Sequence, residues 1–326
     1  MTVVEEAPAA PEAVPAARRM RPRRVRGERP PRPPRRPPSD EPEPLTLGQA
    51  TARGILLMLS ALVAMFLLAV LVFGQIGYLA AQQQRTDTFQ AELAAGTAPV
   101  SEGDFEDVLL ADGDPVAVID IPAMGLTATV AEGTSSAVLV GGPGHRRDTV
   151  LPGQVGVSVL MGRATAFGGP FGGIGQLTPG ERFAVTTGQG EHVFEVMGTR
   201  YAGDPAPANP RAGESRLILM TARGGPLAPT GVEYVDATLV GEGMPSGARQ
   251  TITATLPPQD AALATDPRTV WALVFALQFL LAAEIGAIWA MRRFGWRKAW
   301  IVFVPVLLLA SLLTAGQLAL LLPNLI

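Results

Sequence analysis

The sequence contains no cysteine. Disulfides, thiolate metal sites and every mechanism with a cysteine nucleophile are excluded with it. Histidine is nearly absent too: only His145 and His192 occur in 326 residues. A multi-histidine metal site within one chain is therefore not expected, and no metal or other cofactor is expected. The net charge is only −3, but this small sum hides an asymmetry. Ten arginines lie between Arg18 and Arg36, with Glu28 the one acid among them.

What is abundant is apolar sequence, 48% of the chain, in a protein also rich in proline and glycine. That combination points to membrane segments rather than to one large soluble core. Residues 1 to about 50 carry twelve of the thirty prolines and the arginine block. Such a segment cannot bury enough apolar surface to offset its chain entropy, so it reads as a disordered tail. A basic tail suits nucleic acid, but a membrane span follows directly, and a solvated tail that fixes orientation is the favoured reading. No nucleic-acid partner is expected. The basic region is too long for a signal peptide, and no small-residue cleavage site follows it.

Gly54 to Phe73 is twenty residues without a charge, long enough at ~1.5 Å per residue to cross a ~30 Å hydrocarbon core. Helix is expected to about residue 80. Further spans are expected over 269–291, interrupted by Glu284, and over 299–322, joined by the basic loop RRFGWRK at 292–298. The positive-inside rule puts this loop and the arginine-rich tail in the cytoplasm. Residues 82–268 and the C-terminus then lie outside the cell membrane. Glu284 costs roughly 2.5–3.5 kcal/mol mid-span. It is expected either to face a partner or to snorkel from about seven residues inside Met291. Gln278 lies on a broadly different helix face.

Between the spans the apolar runs are short and punctuated by Gly, Pro and Asp: PVAVIDI, TATV, AVLV, GVSVLM, RFAVTT, HVFEVM, RLILMT and EYVDATLV. Several alternate apolar with polar, as half-buried strands do. About eight strands in some 130 residues predict an all-β closed barrel or sandwich. The expected boundaries are a membrane-proximal linker at 82–114, a β domain at 115–245 and a second linker at 246–268.

The motifs of this domain, taken in order, resemble those of the sortases, membrane-anchored transpeptidases of Gram-positive bacteria. They are AVIDIPAMGLTATVAEGT at 117–134, GGPGHRRDTVLPGQVG at 141–156, VSVLMGRATAFGGPF at 157–171, LTPGERFAVTTGQGEHVFEV at 177–196 and RLILMTARGGP at 216–226. The likeness is nearest to the actinobacterial class E type and covers roughly residues 115–240. It implies an eight-stranded barrel. It also implies a Cys, His and Arg that cleave a sorting signal through an acyl-enzyme. None of the three stands here. The histidine position falls on Arg163 and the cysteine position on Ala222. The arginine position falls on Glu233 or, one register earlier, on Val232.

No neighbour replaces them. Thr221 is one residue from Ala222, so its side chain points to the opposite face. A guanidinium cannot serve as a base near neutral pH. His145 belongs to the Gly-Pro-Gly-His turn and is expected to be structural, His192 to be exposed, and Ser158 has no base. The expectation is a membrane-anchored, non-catalytic sortase-fold protein, a binding or accessory module at the cell envelope. Arg163 and Glu233 are its expected ligand-binding residues, either as a charge pair across the old groove or as two unrelated surface residues. The expected partners are the membrane and a sorting-signal protein, an active sortase or another membrane protein. The alternative is a transpeptidase or hydrolase with relocated residues.

Overall fold

The computed structural model describes residues 46–103, 108–225, 228–247, 249–266 and 270–326. The arginine-rich tail, with the expectation of disorder, lies outside them. The chain divides into two compact units, and the features below belong to the second, Thr51–Ile326, apart from the first turn of α1.

Three helices are long and apolar enough to cross a membrane. The first is continuous. Helix α1, Leu47–Leu68, passes through a π-helical turn at Ala69–Phe73 into α2, Gly74–Ala95. It therefore starts inside the stretch expected as tail and runs on through much of the stretch expected as linker. Its second half is amphipathic in use. Phe89 and Tyr78 are buried, and a Cβ on Gly74 would meet Phe167 at 2.8 Å, so only glycine permits that approach. Gln82 donates through Nε2 to the carbonyls of Thr129 and Gly141 and accepts through Oε1 from the Thr129 N–H. Arg85 donates to the carbonyl of Val138. The helix is thus fastened to the β domain by paired amide groups as well as by apolar contact. The other spans are α4, Val270–Phe294, and α5, Trp296–Leu320, with Pro305 inside α5.

The β domain is the expected closed eight-stranded barrel. Its strands are β1 Pro115–Ile121, β2 Leu126–Glu132, β3 Gly144–His145, β4 Gly156–Met161, β5 Arg182–Thr187, β6 Gly190–Tyr201, β7 Ser215–Gly225 and β8 Ala228–Leu239. They close in the order β1-β2-β3-β4-β7-β8-β6-β5. Alternation places one face of each strand inside. Ile119, Leu160, Phe194, Leu217, Leu219, Val235 and Ala237 fill that interior, each large side chain contributing roughly 1.5–3 kcal/mol by leaving water.

One expected strand is not a strand. AVLV forms most of a single helical turn, α3, Ser136–Leu139, whose N-cap Ser135 accepts from the Val138 N–H. The missing strand is supplied by the two-residue β3. His145 is buried there between Glu132 Oε2 at 2.8 Å and the Val150 carbonyl at 2.9 Å, the structural place expected of it. His192 corrects an expectation, since it is buried rather than exposed. It shares a strand face with Phe194, and its ring lies where a Cβ on Gly153 would be, at 2.4 Å. Burial lowers its pKa.

Candidate functional site

Strands β4 and β7 run parallel, pairing Met161 with Met220. The Gly162 N–H donates to the Met220 carbonyl, and the Thr221 hydroxyl donates to the Gly162 carbonyl. In this register Arg163 continues beside Ala222. Across β7 and β8, Ala222 pairs with Val232 and Thr221 with Glu233. Leu217 and Leu219 face the barrel interior, so Thr221 and Glu233 share that sense. Met220, Ala222, Val232 and Tyr234 face outward, onto an apolar patch with Leu139, Val159 and Met161.

The structure therefore brings Arg163, Ala222 and Val232 together and leaves Glu233 out. Glu233 points to the opposite side of the sheet, against the turn at Ile174–Gln176, where a Cβ on Gly175 would meet its carboxylate at 2.2 Å. It forms no ion pair with Arg163. The physical reason is the two-residue period of a strand: an alignment displaced by one residue moves the side chain to the other face. The register-earlier position, Val232, is the one opposite Ala222.

Arg163 was expected at a groove surface and is instead fully buried. Its Nη2 donates to the Ser136 carbonyl at 3.2 Å and the Ser136 hydroxyl at 2.7 Å, and its Nη1 donates to the main-chain oxygen of Ile326 at 3.0 Å. The guanidinium lies 4.8 Å from the centre of the Phe167 ring. Among the described residues no carboxylate side chain pairs with it. Burial lowers its pKa to about 9, so it stays protonated at neutral pH.

The outward patch is not open. Leu325 is fully buried in it, against the neighbourhood of Met161, Met220, Ala222 and Val232. The Leu325 carbonyl accepts from the Ala164 N–H at 2.8 Å. Asn324 donates through Nδ2 to the carbonyls of Thr134 at 2.8 Å and Ala261 at 2.9 Å, and its N–H donates to the Ala264 carbonyl. The Ile326 N–H closes a turn onto Pro323. Residues 323–326, which follow α5, thus sit over the positions where the family's chemistry is expected. Sequence analysis missed this segment, because it reads as the end of a membrane span.

Elsewhere Glu284 lines an apolar cavity of ≈480 Å³ with Gly54, Met58 and Leu307. Gln278 is exposed. Ser158 is buried on the interior side of β4 with no partner for its hydroxyl. No cluster of metal-ligating side chains occurs among the described residues.

Residues 119–225 match the family model of the sortase domain. No curated protein matches the sequence. Solved structures similar to the chain are sortases of several classes. A Clostridium perfringens sortase D5 transpeptidase is 21% identical, covering 50% of this chain and 99% of its own, with a TM-score of 0.40. Sortase E1 from Streptomyces coelicolor, solved with a tripeptide in the active site, is 22% identical, covering 40% and 91%, with a TM-score of 0.35. Clostridium perfringens sortase C, solved with the C-terminal cell wall sorting motif, is 18% identical, covering 50% and 89%, with a TM-score of 0.38.

Proposed function

We propose that this sortase-domain protein is a membrane-anchored, non-catalytic binding or accessory module of the cell envelope. One observation carries this reading: Arg163, Ala222 and Val232 meet at the site, and none of them is a nucleophile or a base. Acyl transfer needs a nucleophile within hydrogen-bond reach of a base that takes its proton. Thr221, the nearest hydroxyl in sequence, faces the interior and donates to the Gly162 carbonyl. His145 and His192 are buried elsewhere in the barrel. Relocated catalysis therefore has no pair to run on.

The test is transpeptidation and hydrolysis of a sorting-type peptide by the full chain in detergent micelles. No turnover above a buffer blank is expected. Turnover that survives repurification would end the non-catalytic reading. Ala222→Cys alone should not restore activity: the thiol would stand beside Val232, where no cation stabilises developing negative charge, and would lack a histidine.

The same reading places the tail and the 292–298 loop in the cytoplasm and the barrel outside. The contacts of residues 323–326 put the end of α5 on the barrel's side of the membrane, in keeping with that arrangement. A cysteine at exposed Glu191, introduced into this cysteine-free chain, should react with an impermeant maleimide on intact cells. Labelling of a cysteine at Gly27 in place of Glu191 reverses the orientation.

A further inference from the structure

The contacts of the segment after α5 are those of a bound ligand. Its Asn324 side chain is fully buried and donates to carbonyls of two different loops. Its Leu325 side chain fills the apolar patch beside Ala222. Its main-chain oxygens are taken by the Ala164 N–H and by the Arg163 guanidinium. A buried cation without a carboxylate partner is costly unless its donors are satisfied. Here two acceptors on Ser136 and one on Ile326 satisfy them, and the last belongs to the docked segment. Arg163 Nε still has no partner, so the site has spare donor capacity. Meanwhile the sequence has no local reason to end a span this way. A polar Asn-bearing turn after a 25-residue helix gains its order only from the barrel.

We propose that this groove is a peptide-binding site whose resident ligand is the protein's own Leu322–Ile326 segment, and that a second peptide of the same chemistry exchanges with it. That chemistry is a short turn-forming stretch with an asparagine amide followed by two branched aliphatic residues, read through main-chain oxygens by Arg163 and Ala164. Only two residues separate α5, which ends at Leu320, from Pro323, so the tether gives the resident segment a high effective concentration. A free peptide competes poorly until the segment is released. The proposal rests on the binding-module reading of the site and names its ligand and its regulation.

The test is fluorescence anisotropy of a fluorescein-labelled Leu-Pro-Asn-Leu-Ile peptide on the full chain in detergent micelles. Leu325→Asp, which puts a charge into the apolar patch, should release the segment and bind the peptide at least ten-fold more tightly than the unsubstituted chain. Adding Arg163→Lys, which keeps the charge but loses the planar fork, should weaken that binding at least ten-fold. No saturable binding to Leu325→Asp, equal binding to both chains, or indifference to Arg163→Lys overturns the proposal. If Leu325→Asp does not fold, hydrogen exchange on the unsubstituted chain decides. Excess peptide should speed exchange of the Asn324 and Ile326 amides, and unchanged exchange overturns the proposal. Turnover by the opened Leu325→Asp chain would instead overturn the non-catalytic reading and leave peptide exchange standing.

Discussion

The two faces of β7 are built from the same run of residues and closed in different ways. Inward, Leu217 and Leu219 meet residues of the other barrel strands. That face is complete once the sheet closes. Outward, Met220 and Ala222 meet Leu139, Val232 and, from about a hundred residues further on, Leu325. The inward face is held by a cooperative core, in which removal of one side chain leaves a cavity. The outward face is held by a tethered segment that can leave. The difference separates what the fold needs from what the site retains.

The largest effects should fall inside. Leu219→Ala, at a fully buried position, should cost ~2–5 kcal/mol, because transfer and cavity terms add in a core that cannot collapse. Glu132→Gln should cost about 3–5 kcal/mol by removing one charge of a buried pair. His145 and Glu132 are both almost fully buried, and the histidine's second nitrogen is already committed to the Val150 carbonyl. Thermal melts by circular dichroism would read both. A loss below ~1 kcal/mol at either place would mean that the barrel interior yields as readily as the groove, and the contrast would be gone.

Leu325→Ala should cost less than Leu219→Ala, although both leucines are fully buried. The cost of weakening a docked segment cannot exceed the free energy of docking it, since beyond that point it undocks and the rest of the barrel stands. About 1–2 kcal/mol is expected, with increased protease access after Leu320 and an unchanged barrel melt. If Leu325→Ala lowers the barrel's melting temperature as far as Leu219→Ala does, the segment is part of the core and not a ligand.

The strands legible in the sequence were those whose apolar alternation is complete within one run: PVAVIDI, GVSVLM and RFAVTT coincide with β1, β4 and β5. The errors have separate physical causes. AVLV has a strand's composition, but Ser135 caps it as a helical turn. The β7–β8 register could not be fixed to one residue without the pairing itself, and that residue decides between Val232 and Glu233. The polar stretch AAQQQRT reads as solvent-exposed, yet Gln82 and Arg85 are spent on barrel carbonyls. Absence of the catalytic residues was legible because motif order placed Arg163 and Ala222. The cover over them was not, because a contact between residues 163 and 326 leaves no local pattern.

The smallest effect expected is a pH dependence of that cover. The segment's Asn324 rests on the 258–264 stretch, which was expected as a plain linker and instead packs on the barrel. The carbonyl of Asp260 accepts from the Thr134 hydroxyl, and the Asp260 side chain is buried with Oδ1 unpartnered. Burial, with Asp112 nearby, raises its carboxyl to about 6 from an ordinary 3.8, while Arg147 opposes the rise. A carboxyl whose folded pKa is raised binds more protons folded than unfolded between those values, so stability falls as pH rises through about 6. The stretch and the segment resting on it should therefore be held most firmly at and below pH 4–5 and loosen toward pH 7. Screening by nearby solvent keeps the effect near 1 kcal/mol, roughly 2–4 °C in the melt. Asp260→Asn, which cannot ionise, should remove this slope and slow exchange of the Asn324 amide at pH 7. The interior pair at Glu132 gives an internal control: its substitution should leave the Asp260 slope in place. A slope of opposite sign, or one that persists in Asp260→Asn, would assign the pH dependence to another group and detach the linker from the control of the groove.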